Sequence, residues 1–200
     1  MERYEQIRPP QSDPERLNLP SDTPLIYVTS MADYADNVRH SAWIRADRSA
    51  EDVHKKIAEL LASSPDRKSA EPGVPGWFIE DSRGFYDLGR HLSADLDEIT
   101  DAGRGIVLYG EAFAAFAMAH PGPKALEEFV DSYQAMYINA EVCIDAFLDD
   151  MGWQNAFDEF VTEQGIEGFV SFDRQAIWDS YTRSYEVLET REGVIYVFSQ

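Results

Sequence analysis

An α+β fold divided into three small domains is predicted by three features of the sequence. Short β-branched and aromatic runs lie towards both ends of the chain, apolar residues at helical spacing fill the middle, and Pro/Gly-rich links separate the groups. Residues 1–22 carry Pro9, Pro10, Pro14 and Pro20 among charged and polar groups, and read as a disordered leader outside the fold. Residues 25–29 (LIYVT) form a first strand, a loop-like stretch runs to His40, and 42–46 form a second strand. Ser49 then opens a helix. It caps with Asp52 three residues on, and Val53, Ile57, Leu60 and Leu61 share one stripe before the Ser63-Ser64-Pro65 stop. The EPGVPG link at 71–76 leads to a third strand at 77–80, so a small antiparallel sheet with one covering helix occupies 23–85.

From residue 88 to about 130 the pattern turns helical, which gives a central helical domain over 86–130. Leu92, Leu96 and Ile99 lie on one face. The apolar segment 106–119, stopped by His120-Pro121-Gly122-Pro123, reads as a mostly buried helix. Gly103-Arg104-Gly105 reads as a simple turn, since it has the spacing of neither a Walker loop nor a dinucleotide fingerprint. The last domain, 131–200, mixes both patterns and is α+β. It holds a run at 133–138, helices around 141–150 and 153–161, and a helix at 176–181 capped by Asp173. A hairpin of 185–189 and 194–198 closes it, joined by Thr190-Arg191-Glu192-Gly193 with glycine in the turn. Trp178, Tyr181, Tyr185, Tyr196 and Phe198 are its expected core rather than an interface.

The 200 residues hold 37 Asp and Glu against 17 Lys and Arg, a formal charge of −20. A chain so negative repels polyphosphate and anionic lipid, and no basic patch interrupts the acidity, so direct nucleic-acid and membrane-surface binding are disfavoured. A hydrophobic content of 44% is too rich for a disordered acidic polymer. The longest apolar run, 112–119, falls far short of the roughly 20 residues of a transmembrane helix, and the first 22 residues hold no signal-peptide core. A single cysteine, Cys143, excludes an intramolecular disulfide and fits a reducing, cytoplasmic compartment, with a small apolar filler as its expected role.

How the charge is distributed says more than its total. Residues 1–70 carry net −2, 71–120 net −6 and 121–200 net −12. After Asp81 and Asp87, the acids recur at helical spacing: Asp95, Asp97, Glu98 and Asp101; Glu127, Glu128 and Asp131; Glu141, Asp145, Asp149 and Asp150; Asp158, Glu159 and Glu163. Like charges at i,i+4, as in Glu141/Asp145/Asp149, destabilise a helix by a few tenths of a kcal/mol per pair, so folding alone does not call for them.

Signatures of chemistry are missing. His40, His54, His91 and His120 stand apart with no HExxH spacing, no EF-hand loop surrounds Asp95/Asp97/Glu98 or Asp149/Asp150, and no activated nucleophile is apparent. No catalytic residue, metal ligand or cofactor is expected. Three readings of the acids remain: a solvated or high-salt-adapted surface of some unrelated binding module, an unrecognised small enzyme with a Trp/Tyr pocket, and carboxylates that stand in for DNA phosphates. For the last, B-DNA carries one charge per roughly 1.7 Å of axis, so a charge of −20 corresponds to about 34 Å of duplex.

Four segments, in order, resemble the ArdA family of antirestriction proteins, the DNA mimics of plasmids and transposons. They are TPLIYVTSMADY (23–34) with AWIRAD (42–47), WFIEDSRGF (77–85), YQAMYINAEVCIDAFLDDMG (133–152), and FDRQAIWDSYTRSYEVLETREGVIYVF (172–198). The resemblance implies an elongated protein of three small domains that dimerises into a curved, acid-studded rod. Such a rod blocks the DNA-binding cleft of type I restriction-modification enzymes, chiefly their methyltransferase core, and the sixteen acids named above would form the contact surface. The chain departs from the family pattern at Arg83, where Asp81-Ser82-Arg83-Gly84-Phe85 has a base in place of the acid of Asp-Tyr-Glu-Gly-Phe. It departs again at Met136, where Tyr133-Gln134-Ala135-Met136-Tyr137 loses an acid, and in 106–119, where Glu111 is alone. The leader 1–22 is an addition to the common pattern.

Overall fold

A computed structural model describes residues 23–64, 76–122 and 124–200, so the leader, Pro65, most of the 71–76 link and Pro123 lie outside the described residues. Within them the chain is α+β, with eight α-helices and two three-stranded antiparallel sheets, and it divides into two compact units between Leu126 and Glu127.

In the first unit, β1 (Leu25–Ser30) is at most 2% exposed along its whole length. It is the middle strand of the order β2-β1-β3, between β2 (Ser41–Arg45) and β3 (Trp77–Arg83), and this position requires a continuous apolar run rather than alternation. The stretch between β1 and β2 is not all loop: Ser30 caps a short helix, α1 (Met31–Ala35), whose single turn is too brief to show a periodic stripe. Helix α2 (Ala50–Ala62) starts as expected, with Ser49 Oγ accepting the Asp52 N–H at 3.1 Å, and buries Val53 and Ile57. His40 holds the far end of α2 through a 2.6 Å contact between Nε2 and the Leu60 carbonyl.

A 3₁₀ turn (Tyr86–Arg90) with buried Leu88 precedes α3 (Leu96–Tyr109), so Leu92 lies outside the helix that its spacing suggests. The apolar segment 106–119 is two helices, not one. Gly110, at φ +63°, breaks it into the end of α3 and α4 (Glu111–Ala119), in a backbone region that a Cβ disfavours. Only α4 is mostly buried; Val107 and Leu108 at the end of α3 are 57% and 65% exposed. Gly103-Arg104-Gly105 is not a turn either, because all three residues lie inside α3. A Cβ on Gly103 would stand 2.4 Å from the Ala46 carbonyl oxygen, and one on Gly105 would stand 2.3 Å from the Phe113 ring. The two glycines let the α3 backbone approach the chain after β2 on one side and α4 on the other.

The second unit takes in most of α5 (Ala125–Ser132), then β4 (Tyr133–Tyr137), α6 (Ala140–Asp150), α7 (Trp153–Gln164), α8 (Arg174–Ser184), β5 (Tyr185–Glu189) and β6 (Ile195–Ser199). Its sheet has the order β4-β6-β5, which places β6 in the middle and buries Ile195 through Phe198 to 4% exposure or less. The β5–β6 hairpin closes through Thr190 N–H to the Val194 carbonyl at 2.9 Å, with Gly193 at φ +84°. Asp173 caps α8 by accepting the Ala176 N–H at 3.0 Å. The core gathers Cys143, Tyr181, Ile195 and Val197, with Trp178 and Tyr185 half-buried against them. Full burial of Ile195 and Val197 contributes about 1.5–3 kcal/mol each. Burial also pushes the Cys143 thiol pKa up, in keeping with the filler role.

Candidate partner-binding surface

The acid-rich helices of the second unit are set in phase by their caps and cores. Asn139 Oδ1 accepts the Val142 N–H at 2.9 Å and starts α6, whose Cys143, Ile144 and Leu148 turn inward. The opposite face then carries Glu141, Asp145 and Asp149 at i, i+4 and i+8, with Asp150 beside them, all exposed. Helix α7 buries Val161 and exposes Asp158, Glu159 and Glu163. Phe129 of α5 packs on Tyr133 and Phe198, and Glu127, Glu128 and Asp131 point to solvent. All ten carboxylates of these three helices are therefore exposed.

They are not equivalent, a difference that residue spacing does not reveal. Arg174, which opens α8, places Nε 2.7 Å from Glu141 Oε2 and Nη2 2.8 Å from Asp145 Oδ1, and donates to the Glu141 carbonyl at 2.9 Å. The Asp145 hydrogen bond is the largest cause of a guanidinium pKa raised above its ordinary value. Glu141 and Asp145 are thus partly neutralised within the chain. Asp149, Asp150, Glu127, Glu128, Asp131, Glu159 and Glu163 have no cationic partner among the described residues, and Asp158 accepts only from the neutral Gln154, at 3.0 Å.

The first-unit acids have more local work. Asp95 is the N-cap of α3 and accepts the N–H groups of Asp97 at 2.8 Å and Glu98 at 3.4 Å. Asp97 and Glu98 sit in the first turn, where negative charge suits the helix dipole. Asp101 pairs with Arg104 one turn on. Asp81 is exposed on β3 and accepts the Ser82 N–H at 2.8 Å, and Asp87 is half-buried in the 3₁₀ turn. Helix formation accounts for much of this group.

The expectation that no basic patch interrupts the acidity needs correcting. Arg45, Arg48, Lys55 and Lys56 line one groove of about 560 Å³ beside Trp43. Arg45 Nε donates to Asp47 Oδ1 at 2.9 Å, a bond that holds the Asp47 carboxyl pKa below its usual value. A linear scan misses the cluster because the turn between β2 and α2 folds cations ten residues apart onto one another. The available signal was the count: ten of the 17 bases fall in the first 70 residues.

Among the described residues, no helix is long and apolar enough to cross a membrane. No individual curated protein matches the chain. The sequence model of the antirestriction protein family ArdA matches residues 26–195.

Proposed function

Because the chain belongs to the ArdA family of antirestriction proteins, we propose that it counters restriction by occupying the DNA-binding cleft of a type I restriction-modification enzyme in place of DNA. The methyltransferase core is the contact in this reading, and the mechanism is competition rather than catalysis. One observation carries it: ten exposed carboxylates on α5, α6 and α7, in a segment (127–200) that holds 16 acids and three bases.

Lys and Arg side chains that grip phosphate oxygens bind carboxylate oxygens by the same charge-assisted hydrogen bonds. Helices hold the carboxylate backbones in place before contact, so binding loses less conformational entropy than a flexible acidic tail would. Carboxylates present no base edges, which makes the protein indifferent to the enzyme's recognition sequence. The acids without cationic partners, led by Asp149, Asp150, Glu159 and Glu163, do most of the binding in this reading. The protein acts as a cytoplasmic homodimer without a cofactor. Phe160 and Phe169, 53% and 86% exposed, support a second copy covering part of the last unit.

Displacement of labelled DNA from a purified type I methyltransferase tests the proposal. Dose-dependent release at low salt, weakening as salt rises, is the expected result. Absence of binding at low salt, together with stability that climbs steeply in molar salt, would favour a salt-adapted surface instead.

A further inference from the structure

We propose that the outer edge of β2, which pairs with no further strand among the described residues, is a docking site for an extended acidic peptide, which adds to the first sheet as a fourth strand. β2 is an outer strand in the order β2-β1-β3. Ala46 N–H donates to the Pro24 carbonyl at 2.9 Å and Ile44 lies opposite Ile26, so the even-numbered residues direct their backbone groups at β1. The alternation of an antiparallel ladder then leaves the N–H and C=O of Trp43 and Arg45 facing the open side.

The groove beside that edge is cationic. Arg45 comes from β2, and Arg48, Lys55 and Lys56 come from the turn and helix that follow, with Asp52 as the facing carboxylate. With Asp52, with Asp47, which both Arg45 and Arg48 contact, and with Glu59, which Lys56 contacts, counted against the four cations, the site is still net positive by one. Lys56 reaches Glu59 at 2.7 Å, and Lys55 acts on the same carboxylate through space, without a hydrogen bond or ion pair among the described residues. Lysines that guard an edge against aggregation sit on the strand itself. Here three of the four cations lie off the strand and converge on a hollow, in a chain whose total charge is −20.

Strand addition supplies main-chain hydrogen bonds, while alternate side chains run along the two faces of the sheet. One row passes Trp43 and Arg45, the other passes α2 with its lysines, so a row of acids suits either face. Nucleic acid suits the site less. The rest of the chain repels a polyanion far more than a short peptide. Base stacking on Trp43 is also obstructed, because the Tyr27 ring lies 4.9 Å and the Arg83 guanidinium 4.8 Å from it.

Fluorescence anisotropy of the full chain at low salt tests this, with a fluorescein-labelled heptapeptide Glu-Thr-Glu-Val-Glu-Thr-Glu as the probe. Saturable binding is expected, weakened about tenfold or more by Lys55→Glu/Lys56→Glu and to a smaller degree by Lys55→Gln/Lys56→Gln. Both variants alter exposed helix positions, and thermal melts matching the parent's establish that they fold. A probe methylated on alternate amide nitrogens should bind more weakly than the parent probe. No saturable binding, or equal binding by the charge-reversed variant, overturns the proposal. Equal binding of the methylated probe reduces the site to a charge contact and overturns strand addition. Tighter binding of labelled oligothymidylate makes the groove a nucleic-acid site, and loss of self-association in the charge-reversed variant makes a second copy its occupant; either result also overturns it.

Discussion

Arg174 at the start of α8 donates from Nη2 to Asp145 of α6 at 2.8 Å, and its Nε reaches Glu141 one turn earlier at 2.7 Å. The bridge ties two helices of the Cys143–Tyr181 core and relieves repulsion within the α6 acid row. Its members are 35%, 61% and 70% exposed, so water screens it and its contribution is about 0.5–1 kcal/mol. Arg174→Gln should lower the unfolding free energy by that amount in urea titration. DNA displacement should stay equal or improve, since the variant is more negative. Loss of displacement would place Arg174 in the partner interface.

Gly103→Ala tests the docking of α3 on the first sheet. The new Cβ would meet the Ala46 carbonyl oxygen at 2.4 Å, a backbone atom that no rotamer change can move. Overpacking of this kind costs about 1–3 kcal/mol, partly offset by alanine's helix preference of about 1 kcal/mol. A fall of several degrees in Tm is expected by calorimetry. A Tm at or above the parent's would mean that α3 shifts away from Ala46 without penalty.

Local rules were legible and distant meetings were not. Ser49 with Asp52, Asp173 with Ala176 and the Thr190–Gly193 turn are decided within four residues, and the structure places each where the spacing put it. Gly103 and Gly105 look like a turn because glycine's reason for being in α3 lies in what packs on it, Ala46 and Phe113. The acids of 127–163 are exposed as their periodicity suggested. Which of them keep an uncompensated charge depends on Arg174, 33 residues beyond Glu141. The cationic groove needed the β2–α2 turn to exist before its members could meet.

Asp47 gives a pH test. The Arg45 hydrogen bond, more than any other cause, lowers the Asp47 pKa below its ordinary 3.8. A depressed folded pKa means stability that is complete above the unfolded value and is lost as pH falls through the folded one. Asp47→Asn should therefore cost about 1 kcal/mol at pH 6, with the gap from the parent closing below pH 3.8 as the parent's carboxyl protonates. A gap that stays constant down to pH 2 would show that the carboxylate charge is not what Arg45 holds.

Cys143 is 1% exposed and its thiol pKa is raised by burial, so at pH 8 it is both shielded and un-ionised. Ellman's reagent should label it slowly in native buffer and at the rate of a free thiol in urea. Fast native labelling would show that the second unit's core opens readily.

The mimic reading makes a graded prediction that an enzyme reading does not. Binding shared over many exposed charge pairs loses little from one change: Asp149→Asn should weaken displacement of DNA by less than about fivefold. Converting Asp149, Asp150, Glu159 and Glu163 together to amides should weaken it by about a hundredfold, since four exposed charges are removed at once. The comparison that isolates geometry from charge count pairs two double variants. Glu141→Gln/Asp145→Asn and Asp149→Asn/Asp150→Asn each remove two charges from α6, but the first pair is already held by Arg174. The second should therefore cost more. Equal losses would mean that the partner's cations displace Arg174 on binding, and a single change that abolishes inhibition would point to one catalytic carboxylate instead of a charged surface.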